Sequence, residues 1–197
     1  MEKAKKSKSR KRDLIELGVV LCVFALIYFT GMQAEVFGKV QQAVLSTGIM
    51  NVGELDESVQ KPADYDFRLL DENGGLLDVQ SLKGKTVFIN IWATWCAPCV
   101  AEMPGINKLY GKLKDDPDVV FLMISEDRDF QVAKDWVAKK DFDFPIYKLA
   151  SRLPDVYETN VVPTTVIISS EGKIVVKKTG MANYDTRKIR KLLSSDK

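Results

Sequence analysis

A chain of 197 residues, 46% hydrophobic and 28% charged, has room for one ordinary domain with a sizeable core plus some extra length, and is too polar to lie wholly within a membrane. Its net charge of +2 is unevenly spread: residues 1–13 hold seven Lys/Arg against Glu2 and Asp13, for +5, so the rest of the chain sums to −3. That balance excludes a basic nucleic-acid-binding body, because binding to phosphate needs a basic surface.

The basic tail, residues 1–13, is followed by residues 17–34, LGVVLCVFALIYFTGMQA, 18 residues without a charge. Such a run is at the short end of what crosses a hydrocarbon core of about 30 Å. Leu14 and Ile15 extend it, which gives a predicted single transmembrane helix at 14–34. A basic flank before an apolar run places that flank in the cytoplasm and the rest of the chain outside, in the periplasm or at the cell exterior. A cleaved secretory signal would have a shorter run and a small-x-small exit, which Met32-Gln33-Ala34 matches poorly, so the expectation is an uncleaved anchor. Cys22 follows Val19-Val20-Leu21 and lacks the small residue that a lipidation site needs before it; it reads as apolar filler of the span. In residues 35–61, Val36, Phe37, Val40, Val44 and Leu45 fall at helical spacing, which predicts a short amphipathic juxtamembrane spacer.

The globular domain is expected over 62–197. Residues 65–80 predict two short strands around Asn73-Gly74-Gly75, whose glycines supply the positive φ of tight hairpins. Lys83-Gly84-Lys85 marks a turn, and 86–93, TVFINIWA, is β-branched, aromatic and almost unbroken in apolarity, a strand buried on both faces. After Cys99 the apolar period becomes three to four at Val100, Met103, Ile106, Leu109, Tyr110 and Leu113, a helix in which Pro104 is expected to produce a kink. Residues 115–118 break the chain before a second buried strand at 119–125. A helix at 130–140 is expected to turn Val132, Trp136 and Val137 inward. A short extended piece follows at 144–149, then a strand at 165–169, a turn at Glu171-Gly172, a hairpin partner at 173–177 and a closing helix at 185–193. The alternation predicts an α/β sandwich with a mixed sheet.

The chemistry lies in WATWCAPC, Trp92 to Cys99. Structural zinc needs four ligands; the chain has no histidine and one further cysteine, Cys22, in the apolar run, so a tetrahedral Cys/His site within one chain is excluded. An inert staple across two residues closes so small a loop that it removes little entropy from the unfolded chain. A redox pair fits the position. Cys96 follows a buried strand and opens a helix, where unpaired N–H groups and the macrodipole favour a thiolate. Pro98 sits in the first turn, where its missing N–H costs nothing. Cys99, one turn in, is placed to resolve a mixed disulfide made by Cys96.

WATWCAPC, with Val162-Pro163-Thr164-Thr165 downstream, resembles the thioredoxin fold. The variant with Asn90 six residues before Cys96 and Glu102 three after Cys99 is similar to the TlpA/ResA group of membrane-anchored, extracytoplasmic thiol–disulfide oxidoreductases. The resemblance covers residues 62–195. It implies a thioredoxin-like three-layer α/β/α sandwich with a mixed central sheet and an N-terminal β-hairpin. It makes Cys96 the exposed nucleophile, Cys99 the resolving cysteine and Pro163 a cis-proline facing them, with Val162 offering backbone hydrogen bonds to an extended client. Trp95, Ala97 and Pro98 complete the substrate-facing surface, with Trp95 beside the cysteines limiting access and Trp92 an ordinary core aromatic. Asn90 stands where thioredoxin has a buried Asp, so it supports the site without taking a proton. Glu102 then has two readings, a proton acceptor that tunes the cysteines or a solvated helix glutamate.

Ala97-Pro98 lacks the Pro-His pair of strong oxidants, which points to a reductant. The implied function is reduction of disulfides in extracytoplasmic client proteins, with apocytochromes before haem attachment as one client class and a membrane thiol reductase as electron donor. No organic cofactor or metal is implied. Two rivals stand: a disulfide oxidant or isomerase, and a docking or assembly module without turnover.

Overall fold

The structure, a computed structural model, describes residues 12–22 and 61–194. Residues 12–22 are helical and exposed, with Cys22 at the end of the stretch. Among the described residues no helix is long and apolar enough to cross a membrane. Residues 23–34 of the expected anchor and nearly all of the expected spacer lie outside the described residues.

The elements run β1 (Arg68–Asp71), β2 (Leu76–Asp78), a 3-10 turn (Val79–Leu82), β3 (Thr86–Trp92), α1 (Ala97–Leu113), β4 (Val119–Ser125), α2 (Phe130–Lys139), β5 (Ile146–Leu149), β6 (Thr164–Ile168), β7 (Ile174–Thr179) and α3 (Arg187–Ser194). Their strands form one mixed sheet in the order β2-β1-β5-β4-β3-β6-β7. β3 pairs in parallel with β4 and antiparallel with β6, and all seven of its residues are buried. A strand with neighbours on both edges and cover on both faces needs no polar side, which is why 86–92 reads as a continuous apolar run.

The β1–β2 hairpin forms at the predicted turn. Asp71 Oδ1 accepts the N–H groups of Asn73 and Gly75, each at 2.8 Å. Gly74 has φ +86°, and a Cβ on Gly75 would meet Asp71 Oδ2 at 2.5 Å. The hairpin is not a separate flap: β1 pairs antiparallel with β5, placing Leu69 opposite Leu149 and drawing the hairpin into the main sheet.

Two apolar clusters lie on opposite faces of the sheet. Phe88 and Trp92 of β3 pack with Met103, Ile106 and Leu109 of α1, Ala133 and Val137 of α2, and Ile189 and Leu193 of α3. Val87, Ile89 and Ile91 pack with Tyr65, Phe67, Val79, Leu82 and Tyr157. The expected α/β/α layering is therefore corrected: among the described residues all three labelled α-helices cover one face, and a 3-10 turn with irregular chain covers the other. Handedness explains this. The sheet steps in one direction from β3 to β4 to β5, so two right-handed crossovers put α1 and α2 on the same side.

α2 is also rotated from expectation. Phe130, Ala133 and Val137 are buried, Trp136 is half-buried, and Val132 is 48% exposed. Asp129 caps this helix by accepting the Gln131 N–H at 2.9 Å. α1 runs through Pro104 as one helix of 17 residues.

Candidate active site

The site forms where the central strands end. β3 and β4 are parallel and in register, with Trp92 opposite Ser125, so both release the chain at the same edge of the sheet. In α/β sheets the strand C-termini are where loops converge into a site. Glu126 N–H donates to Trp92 O at 2.8 Å, continuing the pairing one step beyond β4. The chain then turns sharply, with Cys96 N–H donating to Ala93 O at 3.2 Å, and enters α1.

Cys96 is the N-cap of α1, with extended backbone, and its Sγ accepts the Cys99 N–H at 3.2 Å. Helix N-caps are normally oxygen side chains that satisfy the orphan donors of the first turn; a sulfur here does the same and, as a thiolate, gains a charge-assisted bond. Cys96 and Cys99 are joined as a disulfide with Cα atoms 5.2 Å apart. Cys96 retains 5% exposure and Cys99 none, so only the first sulfur is open to an incoming partner. Ala97 and Pro98 are half-buried beside it.

The segment before β6 faces the pair. The Val162–Pro163 peptide is cis, and Cys96 Sγ lies 3.6 Å from Val162 O, within donating distance for a reduced thiol. Thr159 and Thr164 brace this segment: Val161 O accepts from Thr164 Oγ1 at 2.6 Å and from Thr159 Oγ1 at 3.0 Å. Trp95 is 64% exposed and Val161 51%, an apolar pair on the segments that meet at the disulfide. Trp95 is thus largely solvent-facing, in the residue just before the nucleophile. Trp92 is fully buried and packs at 5.4 Å on Trp136.

Behind Cys99 lies a polar network within the core. Glu102 is only 2% exposed, which decides against the solvated reading. Its Oε1 accepts from Asn90 Nδ2 at 2.8 Å and its Oε2 from the Ala182 N–H at 3.1 Å. Asn90 Nδ2 also donates to Thr165 Oγ1 at 2.8 Å, across the β3–β6 register that sets these residues opposite each other. Burial pushes the Glu102 carboxyl up to about 8, and the bonds from Asn90 and Ala182 pull it partly back. Desolvation wins because two hydrogen bonds do not replace the full hydration of a carboxylate. Tyr184, in the same cluster, is held well above its ordinary value by burial and by the Glu102 charge.

Three contributors are absent from the reading by sequence, two of them without any local signal. Thr165 joins the Glu102 network through Asn90 by strand register, and Ala182 bonds Glu102 directly by the path of the chain between β7 and α3; no local pattern exists for either. Asp127 is different. Its carboxylate holds Thr94, just before Trp95, through the Thr94 N–H at 3.1 Å and hydroxyl at 2.7 Å. A polar Ser125-Glu126-Asp127 directly after a buried strand was a legible signal, because the C-terminal ends of such strands carry function.

A family model described as Redoxin matches residues 58–193. The chain belongs to the Redoxin family. Within it the chain is ResA-like and of thioredoxin fold. It is 29% identical over 176 residues to the thiol-disulfide oxidoreductase ResA of Bacillus subtilis, covering 88% of each chain. It is 34% identical over 112 residues to the ResA of Bacillus cereus, covering 56% of this chain and 64% of that one, just under two thirds of its length. The crystal structure of StoA from Bacillus subtilis superposes with a TM-score of 0.54 at 23% identity, covering 66% of this chain and 98% of that one, a likeness of fold. In this ResA-like chain the redox pair and the cis-proline segment meet at one edge of the sheet, and the carboxyl lies behind the pair within the core.

Proposed function

We propose that this chain is a membrane-anchored extracytoplasmic reductant of protein disulfides, acting through Cys96 and Cys99. The observation that carries the reading is a disulfide at the N-terminus of α1, open at Cys96, closed at Cys99 and backed by the buried Glu102. In the reduced protein the Cys96 thiolate attacks one sulfur of a client disulfide, forming a mixed disulfide and releasing the second client sulfur as a thiolate. Cys99 gives up its proton and attacks Cys96 Sγ, which releases the first client sulfur. Two electrons pass to the client and the Cys96–Cys99 bond forms. Glu102 is the acceptor of the Cys99 proton. The base is the ionised fraction of a carboxyl that burial pushes up to about 8, which makes it a stronger proton acceptor than a surface carboxylate.

Val162, Pro163, Trp95, Ala97 and Pro98 form the client-facing surface. Val162 offers backbone groups to an extended client segment, and Trp95 with Val161 offers apolar contact. The ResA resemblance favours apocytochromes as clients, because their cysteines must be reduced before haem is attached. The basic tail and apolar run support an N-terminus in the cytoplasm and the redox domain outside. In that oxidising compartment a reductant needs electrons from a membrane thiol reductase.

The test is the reduction potential of the Cys96–Cys99 couple, measured in defined thiol buffers with free thiols counted by alkylation. A value at or below about −270 mV is expected of a reductant, and a value of about −120 to −180 mV reverses the direction and makes the protein an oxidant or isomerase. In cells, Cys99→Ser should trap clients as mixed disulfides. Full function retained by a Cys96→Ser, Cys99→Ser double variant would instead identify a docking module.

A further inference from the structure

The Ala93–Cys96 turn carries both the nucleophile and the exposed Trp95, and a carboxylate from outside the turn also holds it. Thr94 and Trp95 are its two central residues. The carboxylate of Asp127, from the exit of β4, uses both oxygens on it. Oδ1 accepts the Thr94 hydroxyl at 2.7 Å, and Oδ2 accepts the Thr94 N–H at 3.1 Å. Oδ2 also accepts the Ser125 hydroxyl at 2.9 Å, and the Asp127 N–H donates back to Ser125 Oγ at 3.0 Å, so the carboxylate is itself held in place. Ser125 is 5% exposed and Asp127 partly buried, while its neighbours Glu126 and Arg128 are exposed. A chelated turn of this kind is ordered in advance, so the Cys96 sulfur meets the Cys99 N–H without a further loss of backbone freedom.

We propose that Asp127 is a positioning residue of the redox site, acting through Thr94 to hold the turn that seats Cys96 at the helix N-cap and so sets its reactivity as a thiolate. Carboxylate geometry is needed, because an amide has one acceptor oxygen where the turn and Ser125 together present three donors. Among the described residues, the titratable groups buried on the same side of the sheet as the pair include Glu102, one turn after Cys99 on α1, and Tyr184, in the segment between β7 and α3, which feels the Glu102 charge. Opposite the pair, residues 159–163 contribute Thr159, Asn160, Val161, Val162 and Pro163, whose side chains do not titrate in the working range.

The experiment is alkylation of the reduced, full-length protein by iodoacetamide across pH, with the rate at Cys96 read by mass spectrometry. It is independent of the direction of electron flow and of any client. Thr94→Val keeps shape and charge but deletes the hydroxyl; it should raise the midpoint of the profile and slow alkylation near pH 7 by about threefold, the scale of one lost hydrogen bond. Thr94→Ser, which keeps the hydroxyl, should follow the parent. In an Asp127→Asn background Thr94→Val should add little, because the two changes break one interaction. A Thr94→Val profile that superposes on the parent, or a Thr94→Val shift of undiminished size in the Asp127→Asn background, overturns the proposal. Thermal unfolding of each oxidised variant checks the fold; if Thr94→Val unfolds, Ser125→Ala, which frees the carboxylate, is expected to shift the profile in the same direction, and an unshifted profile counts against the proposal equally.

Discussion

Glu102 shows what a single buried group does for reactivity and stability together. Its carboxyl has an upward shift to about 8, caused first by burial, so the folded state holds a proton there that the unfolded chain releases near the ordinary carboxyl value. Between about pH 4.5 and 8 the folded state thus binds more protons than the unfolded state, and stability falls as pH rises, by at most about 1.4 kcal/mol per pH unit from this group, levelling off above. Urea unfolding of the oxidised protein across that range should show the decline, and Glu102→Gln should flatten it. The substitution is tolerable because Asn90 Oδ1 has no partner among the described residues, so a flipped Asn90 amide can accept from the new Nε2 while the Thr165 hydroxyl donates. In kinetics, the same variant should slow breakdown of the mixed disulfide on the order of 10²-fold, the lower end of general acid–base contributions, and let that species accumulate in a quenched-flow gel assay. An unchanged rate would remove Glu102 from the mechanism.

The elements around the site owe their places to pairings of unequal weight. β1 contributes Leu69, fully buried and flanked by Leu77 and Leu149 across its two pairings. Leu69→Ala should therefore cost about 2–5 kcal/mol in denaturant unfolding, through lost burial and the cavity left behind. Leu76, 59% exposed on β2, should cost within about 0.5 kcal/mol when changed to Ala. On α2 the same contrast separates Val137, 6% exposed, from Val132 at 48%. Trp136 drew the predicted face towards Val132. The true face is centred on Ala133, small enough to let the helix approach the sheet, with Trp136 at its margin against Trp92. Asp185 links α1 and α3, accepting from Lys112 at 2.7 Å and Arg190 at 2.6 Å. These are half-exposed pairs, which hold orientation more than they add stability.

For the molecule as a whole, the proposed function joins an anchor to the redox domain, which would confine a reductant to a surface next to its electron source. Full-length protein is expected to remain in the membrane fraction after alkaline carbonate extraction, with the redox domain cleaved by protease added outside intact cells or spheroplasts. Release by carbonate would show that residues 14–34 do not span. The described part has its own logic. The sheet is covered by helices on the face that holds the redox pair, and by the N-terminal chain, the 3-10 turn and residues 153–157 on the other. Tyr157, whose hydroxyl accepts the Asp64 N–H at 3.0 Å, ties that cover together. The reactive edge is thereby left as the place where loops converge and Cys96 meets Val162.

Local patterns in the chain determined much of this. Buried strands announce themselves by unbroken apolarity, so 86–92 and 119–125 were legible; the Asn-Gly-Gly hairpin follows from positive φ; and Cys-x-x-Cys at a strand-to-helix junction states its own chemistry, because an N-cap sulfur must meet the first-turn N–H groups. Only the tertiary structure decided matters that depend on how distant segments meet. The burial of Glu102, which rules out a solvated helix glutamate, needed the Asn90–Thr165 register and the Ala182 N–H. The exposure of Trp95, the rotation of α2 and the one-sided placement of the helices likewise depend on packing and on crossover direction. Local spacing carries the period of an element and the chemistry of its residues, while the dielectric around a side chain is set by everything that covers it.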